Sequence, residues 1–107
     1  MAKNKLPNSE CPITRTMELI GGKWSLLIVY MLMKETKRFK ELERSIEGIN
    51  TRMLVKELKQ LEESGIISRK VFAEVPPRVE YSLTEKGQAL KNVLVEMQSW
   101  GKKFVLV

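Results

Sequence analysis

Residues 39–65 read FKELERSIEGINTRMLVKELKQLEESG, and the reading of this stretch decides the fold. Phe39, Leu42 and Ile46 recur at helical spacing and predict a short helix over Phe39–Ile46. Glu47-Gly48-Ile49-Asn50 then forms a turn, with Gly48 suited to a positive φ and Asn50 to an N-cap. A longer helix follows over Thr51–Ser64, and Gly65 is placed to end it. At about 100° per residue, Leu54, Leu58 and Leu61 gather on one side of that helix. Arg52, Lys56 and Lys59 fall roughly opposite. A short helix, a glycine-containing turn and a longer helix with a cationic face are the parts of a helix-turn-helix.

Downstream of Gly65 the apolar period changes from helical to alternating. Ile67, Arg69, Val71 and then Val79, Tyr81, Leu83 read as paired strands. Glu74-Val75-Pro76-Pro77-Arg78 between them is a hairpin tip, which makes the motif winged. Upstream, Cys11-Pro12 opens a helix whose Ile13, Met17 and Ile20 form a stripe before Gly21-Gly22 stops it. A second helix is expected from about Trp24 to Met33, apolar all round and therefore in the core. A short charged connection, Lys34–Arg38, holds at most one brief strand near Arg38. Thr84 caps a final helix expected over Glu85–Phe104, with Leu90, Val93, Leu94, Met97, Trp100 and Phe104 at near-heptad spacing. The expected fold is therefore mainly α with a small β-hairpin wing, a winged helix-turn-helix. Its domain plan is a flexible arm over 1–10 and a single domain over 11–107.

Composition narrows the function. Hydrophobic residues at 43% and charged residues at 30% suit a globular chain able to build a core. Its 107 residues allow one domain of modest stability, to which dimerisation would add. Nineteen basic against thirteen acidic side chains give a net charge of +6, which favours a polyanionic partner such as double-stranded DNA. There is no His, no Asp and a single Cys, so catalytic triads, Cys-His pairs and metal clusters have no residues to form from. Gly21-Gly22-Lys23 lacks the spacing of a nucleotide-binding loop. No enzyme activity, cofactor or metal is expected. The polar N-terminus is unlike a signal peptide, and the apolar run Leu26–Met33 is far short of the ~20 residues of a membrane span. A cytoplasmic location is expected, and the lone Cys suits a reducing compartment.

The candidate DNA contacts follow from position. Recognition helices touch bases mainly with their N-terminal residues, which selects Asn50, Thr51, Arg52 and Lys56. Arg52 is the candidate for a bidentate guanine contact, and Thr51 for a phosphate or a thymine methyl. Amphipathicity alone does not single out a DNA reader, since Lys59 and Glu63 can equally form an ordinary i,i+4 pair. Arg69, Lys70 and Arg78 belong to the wing. Arg78 either enters a minor groove or pairs with Glu74 or Glu80 and pins the hairpin. Lys37, Arg38 and Lys40 either anchor phosphates or form a solvated charged face.

Together CPITRTMELIGGKW (11–24), KRFKELERSIEGINTRML (37–54), KELKQLEESGII (56–67) and PPRVEYSLTEKG (76–87) closely resemble the HxlR-type family of bacterial winged helix-turn-helix regulators. The resemblance runs from Cys11 to about Gly101. It implies a homodimer built by the N- and C-terminal helices, here through Ile13, Met17, Leu94, Met97, Trp100 and Phe104. It also implies a sequence-specific transcriptional regulator, a repressor that occludes its promoter by binding an inverted repeat. Some family members sense oxidants or electrophiles with a Cys at the place of Cys11, where a helix N-terminus lowers a thiol pKa. Cys11 is thus either a redox sensor or a structural feature of the family, and the effector stays open. The alternative function is a winged-helix protein–protein module whose basic face is idle.

Overall fold

The computed structural model describes residues 10–106. The arm expected over residues 1–10 lies, except for Glu10, outside the described residues. The elements run α1 (Pro12–Ile20), α2 (Ser25–Lys34), β1 (Lys37–Arg38), α3 (Phe39–Ser45), α4 (Thr51–Glu63), β2 (Ile67–Phe72), β3 (Arg78–Leu83), α5 (Glu85–Gln88) and α6 (Lys91–Phe104). The fold is mainly helical with a small antiparallel sheet in the order β1-β3-β2. The expected winged helix-turn-helix is present, with α3 and α4 as its helices and β2–β3 as its wing.

α2 is the centre of the core. Its Ile28, Val29 and Leu32 are buried against Leu42 of α3, Leu54, Leu58 and Leu61 of α4, and Ile67 and Tyr81 of the sheet. Local capping shapes the helix-turn-helix. The Glu41 carboxylate accepts from the Arg38 backbone N–H at 2.8 Å and closes the start of α3. Asn50 Oδ1 accepts from the Met53 N–H at 2.8 Å and caps α4. Gly48 has φ +88°, a conformation costly for side chains, and the Trp24 ring packs beneath it. Gly65, at φ +74°, lets the chain leave α4 while the Ile66 N–H still donates to Leu61 O.

The β2–β3 register runs from Ile67 opposite Leu83 to Phe72 opposite Arg78. It turns Ile67 and Tyr81 inward and places Lys70, Phe72, Arg78 and Glu80 on the outer face. β1 joins the other edge, with Lys37 opposite Tyr81 and Arg38 opposite Glu80.

The continuous helix expected over Glu85–Phe104 is instead broken at Ala89–Leu90 into α5 and α6. Gly87 packs directly on the Ile66 carbonyl, and Lys86 Nζ donates to Ser64 O at 2.7 Å, so α5 is tied to the start of β2. The Leu90 N–H donates back to Gly87 O, and α6 then packs against α2. Leu94 is the second correction. It is 8% exposed and belongs to the core of its own chain, not to a surface available to a partner. No single helix among the described residues is long and apolar enough to cross a membrane.

Candidate nucleic-acid interface

α4 carries the candidate site. Its leucine row fixes which way it faces, so Arg52, Lys56 and Lys59 all stand exposed on the opposite side. None of them forms an ion pair among the described residues, and Lys59 does not close on Glu63. An unpaired cation keeps its full attraction for phosphate, with no intramolecular contact to break.

The two residues expected to lead the recognition helix are engaged in hydrogen bonds within the chain. Asn50 spends its carbonyl oxygen on the α4 cap. Thr51 donates its hydroxyl to Glu43 of α3, which ties the two helices together. They set the entry angle of α4, while Arg52 and Lys56 remain free to reach outward.

The basic residues of the wing divide into paired and unpaired. Arg78 lies 3.5 Å from Glu74 and 3.2 Å from Glu80, and its guanidinium sits 4.0 Å above the Phe72 ring. Of its two open roles, pinning the hairpin is the one the contacts match. The tip itself, residues 73–77, contains no Lys or Arg. Arg69 and Lys70 on β2 are exposed and unpaired among the described residues, with Lys70 resting 5.0 Å from the Phe72 ring. Lys37 is half-buried and paired with Glu35 at 3.1 Å, which removes it from the free cations. Arg38 and Lys40 stay exposed and share an open cleft with Arg44 and Arg78, with Lys40 Nζ in a loose 3.9 Å pair with Glu43. Arg44 escaped notice in the sequence because only the fold brings it to this cleft.

A second crevice separates α4 from the sheet. Val55 and Lys59 form one wall and Arg69 the other, with Phe39 and Tyr81 between. Val55 carries no periodic signal in the sequence, since it stands next to Leu54 but off the Leu54, Leu58 and Leu61 row.

At the other end, Cys11 is the N-cap of α1, and its Sγ accepts from the Thr14 N–H at 3.5 Å. Hydrogen bonding from Thr14, first through its side chain and then its backbone amide, lowers the thiol pKa below its usual value. Ile13, Met17, Met97, Trp100 and Phe104 are exposed, with the Trp100 and Phe104 rings 5.4 Å apart.

The sequence matches the model of the HxlR-like helix-turn-helix family over residues 19–106, the span that holds α2 to α6. The chain belongs to the HxlR-like helix-turn-helix family. It is 50% identical over 91 residues to the uncharacterised HTH-type transcriptional regulator YkvN of Bacillus subtilis (strain 168), covering 85% of this chain and 77% of that protein. It is 44% identical over 98 residues to the HTH-type transcriptional regulator YodB of the same organism, covering 91% and 88%. Among solved structures, the redox regulator HypR in its oxidised form superposes with a TM-score of 0.83 at 43% identity, covering 87% and 96%. A protein of Porphyromonas gingivalis W83 described as a MarR-family regulator gives 0.89 at 40% identity, covering 95% and 100%. This HxlR-like chain is accordingly a transcriptional regulator of helix-turn-helix type, and its relatives are regulators and not enzymes.

Proposed function

We propose that this HxlR-like chain is a homodimeric repressor that binds an inverted repeat in double-stranded DNA and blocks its promoter. The observation that carries the proposal is the outward face of α4, where Arg52, Lys56 and Lys59 stand exposed and unpaired in a winged helix-turn-helix. Two such helices, related by a dimer axis, would enter major grooves about one turn apart, roughly 34–36 Å. Arg69, Lys70, Arg38 and Lys40 would then hold phosphates and set the register. The apolar side chains exposed on α1, and Met97, Trp100 and Phe104 grouped on α6, support a dimer, because exposed apolar patches mark interaction surfaces.

Selection of duplexes from a random library at physiological salt tests this. Enrichment of an inverted repeat with half-sites about one turn apart is the expected result. Affinity for that site should fall about 10³–10⁵-fold between roughly 50 and 200 mM salt, as for six to ten phosphate contacts. Binding that enriches no sequence would leave the protein–protein module as the better account.

A second reading concerns Cys11. Its place at a helix N-cap and its lowered pKa favour a reactive thiolate, and HypR is a redox regulator of the same fold. With one Cys in the chain, oxidation would join two protomers or capture a small thiol. Oxidant should release the selected DNA from the parent protein and not from Cys11→Ser. Equal release from both would assign Cys11 a capping role alone.

A further inference from the structure

We propose that Val55 is a specificity-determining residue that reads the C5-methyl group of a thymine in the major groove. It can do so only if α4 enters DNA as proposed above.

A lone exposed valine is ordinary on a protein surface; the setting of this one is not. Val55 is 52% exposed, while its neighbours in the leucine row are buried. It lies one turn beyond Thr51 and one turn before Lys59, and three residues from Arg52, so these side chains surround it on the face of the helix. Glu57 gives the direction. Its carboxylate accepts from Ser25 Oγ at 3.1 Å and therefore faces the turn that joins α1 to α2. Val55 is two residues away, about 200° around the axis. It points away from that turn and toward the wing, into the crevice it shares with Phe39 and Arg69. Glu62, about two turns further along, lines the same crevice.

The chemistry of the surroundings selects the occupant. Arg52, Lys56, Lys59 and Arg69 are exposed and without ion pairs among the described residues. A protein surface apolar enough to cover Val55 would also bury some of these cations unpaired, which is costly. A duplex has no such conflict. Its groove floor offers thymine methyl groups, and its rims offer phosphates to cations that flank an apolar reader. Valine brings two methyl groups, no donor and no acceptor, so it favours thymine and penalises bases that present an unpaired polar edge there.

The test uses the selected duplex. Each thymine is replaced in turn by uracil, symmetrically in both half-sites, which removes the methyl and leaves the pairing unchanged. The parent dimer should lose about four-fold affinity per half-site at one thymine, the worth of one buried methyl group. Val55→Ala should bind the thymine and uracil duplexes equally at that position, while Arg52→Ala should keep the methyl step. Val55→Thr, which retains one methyl and the shape of the side chain, should keep a reduced step and guards against a folding defect in the alanine variant. A methyl step that persists undiminished in Val55→Ala would overturn the assignment, as would a parent protein indifferent to every methyl. If no sequence is selected at all, the DNA-binding proposal falls first and Val55 falls with it.

Discussion

Arg52 and Lys59 stand on the same face of α4, yet they would meet different parts of a duplex. Arg52 is in the first turn, the end at which a recognition helix meets base edges, so under the proposed function Arg52→Ala should cost about 1–3 kcal/mol at the selected site and less on random DNA. Lys59, two turns in, should act on phosphate: Lys59→Ala should weaken all sequences alike and lower the salt slope by about one per protomer. Competition binding over a salt series separates the two. For Cys11, the folded pKa lies below the unfolded one, so the thiolate stabilises the fold above the unfolded pKa. That contribution disappears as pH falls through the folded value. Thr14→Val removes the leading cause of the shift, and the pH midpoint for alkylation of Cys11 should move upward; an unchanged midpoint would discount the Thr14 bond. Arg52 and Lys56 were legible in the sequence because exposure on a helix follows its 100° step. Arg78 was left between two roles because its pairing depends on the strand register that brings Glu80 beside it. Val55 was illegible for a different reason: its role depends on which flank of α4 faces the wing.

Among the elements, α2 and α4 are linked by the hydrogen bond from Ser25 to Glu57. Ser25 is 4% exposed, and Glu57 is its partner, so Glu57→Ala strands a buried hydroxyl and should cost about 1–3 kcal/mol in urea unfolding. Ser25→Ala leaves only a half-exposed carboxylate that water can reach, and should cost less. Equal costs would mean that the carboxylate is no better solvated than the hydroxyl. Gly87→Ala probes the other end of the fold. Its added methyl meets the Ile66 carbonyl, backbone that cannot rotate aside, and the expected loss is about 1–3 kcal/mol by thermal melting. The helix-turn-helix was readable residue by residue because Asn50, Gly48 and Gly65 act through neighbours a few positions away. The division of α5 from α6 was not. It arises where Gly87 meets Ile66, some twenty positions back in the chain, and helical periodicity runs unbroken through that point.

For the molecule as a whole, Leu94 and Trp100 separate folding from assembly. Both belong to the apolar pattern of α6, and sequence spacing placed them together. The direction α6 takes after Leu90 buries Leu94 against the core and leaves Trp100 61% exposed. Leu94→Ala should cost about 2–5 kcal/mol in unfolding experiments. Trp100→Ala should leave the fold intact and weaken the dimer, which sedimentation at a range of concentrations would register. An unaltered dimer would move the interface away from this end of α6. α6 is joined to α5 through the turn at Ala89–Leu90 and is held along α2 by Leu94 in the core and by Gln98 Nε2, which donates to the Tyr30 hydroxyl at 3.4 Å. Only its last turns are left to lean. The stretch from Gln98 to Phe104 rises about 9 Å, so a lean of roughly 10° there would carry Phe104 by about 1.6 Å. In a dimer clasped near that end, two such leans would add to about 3 Å, close to the axial spacing of successive phosphates along one strand. The gap between half-sites would then be an adjustable dimension of the molecule, set by the free end of one helix.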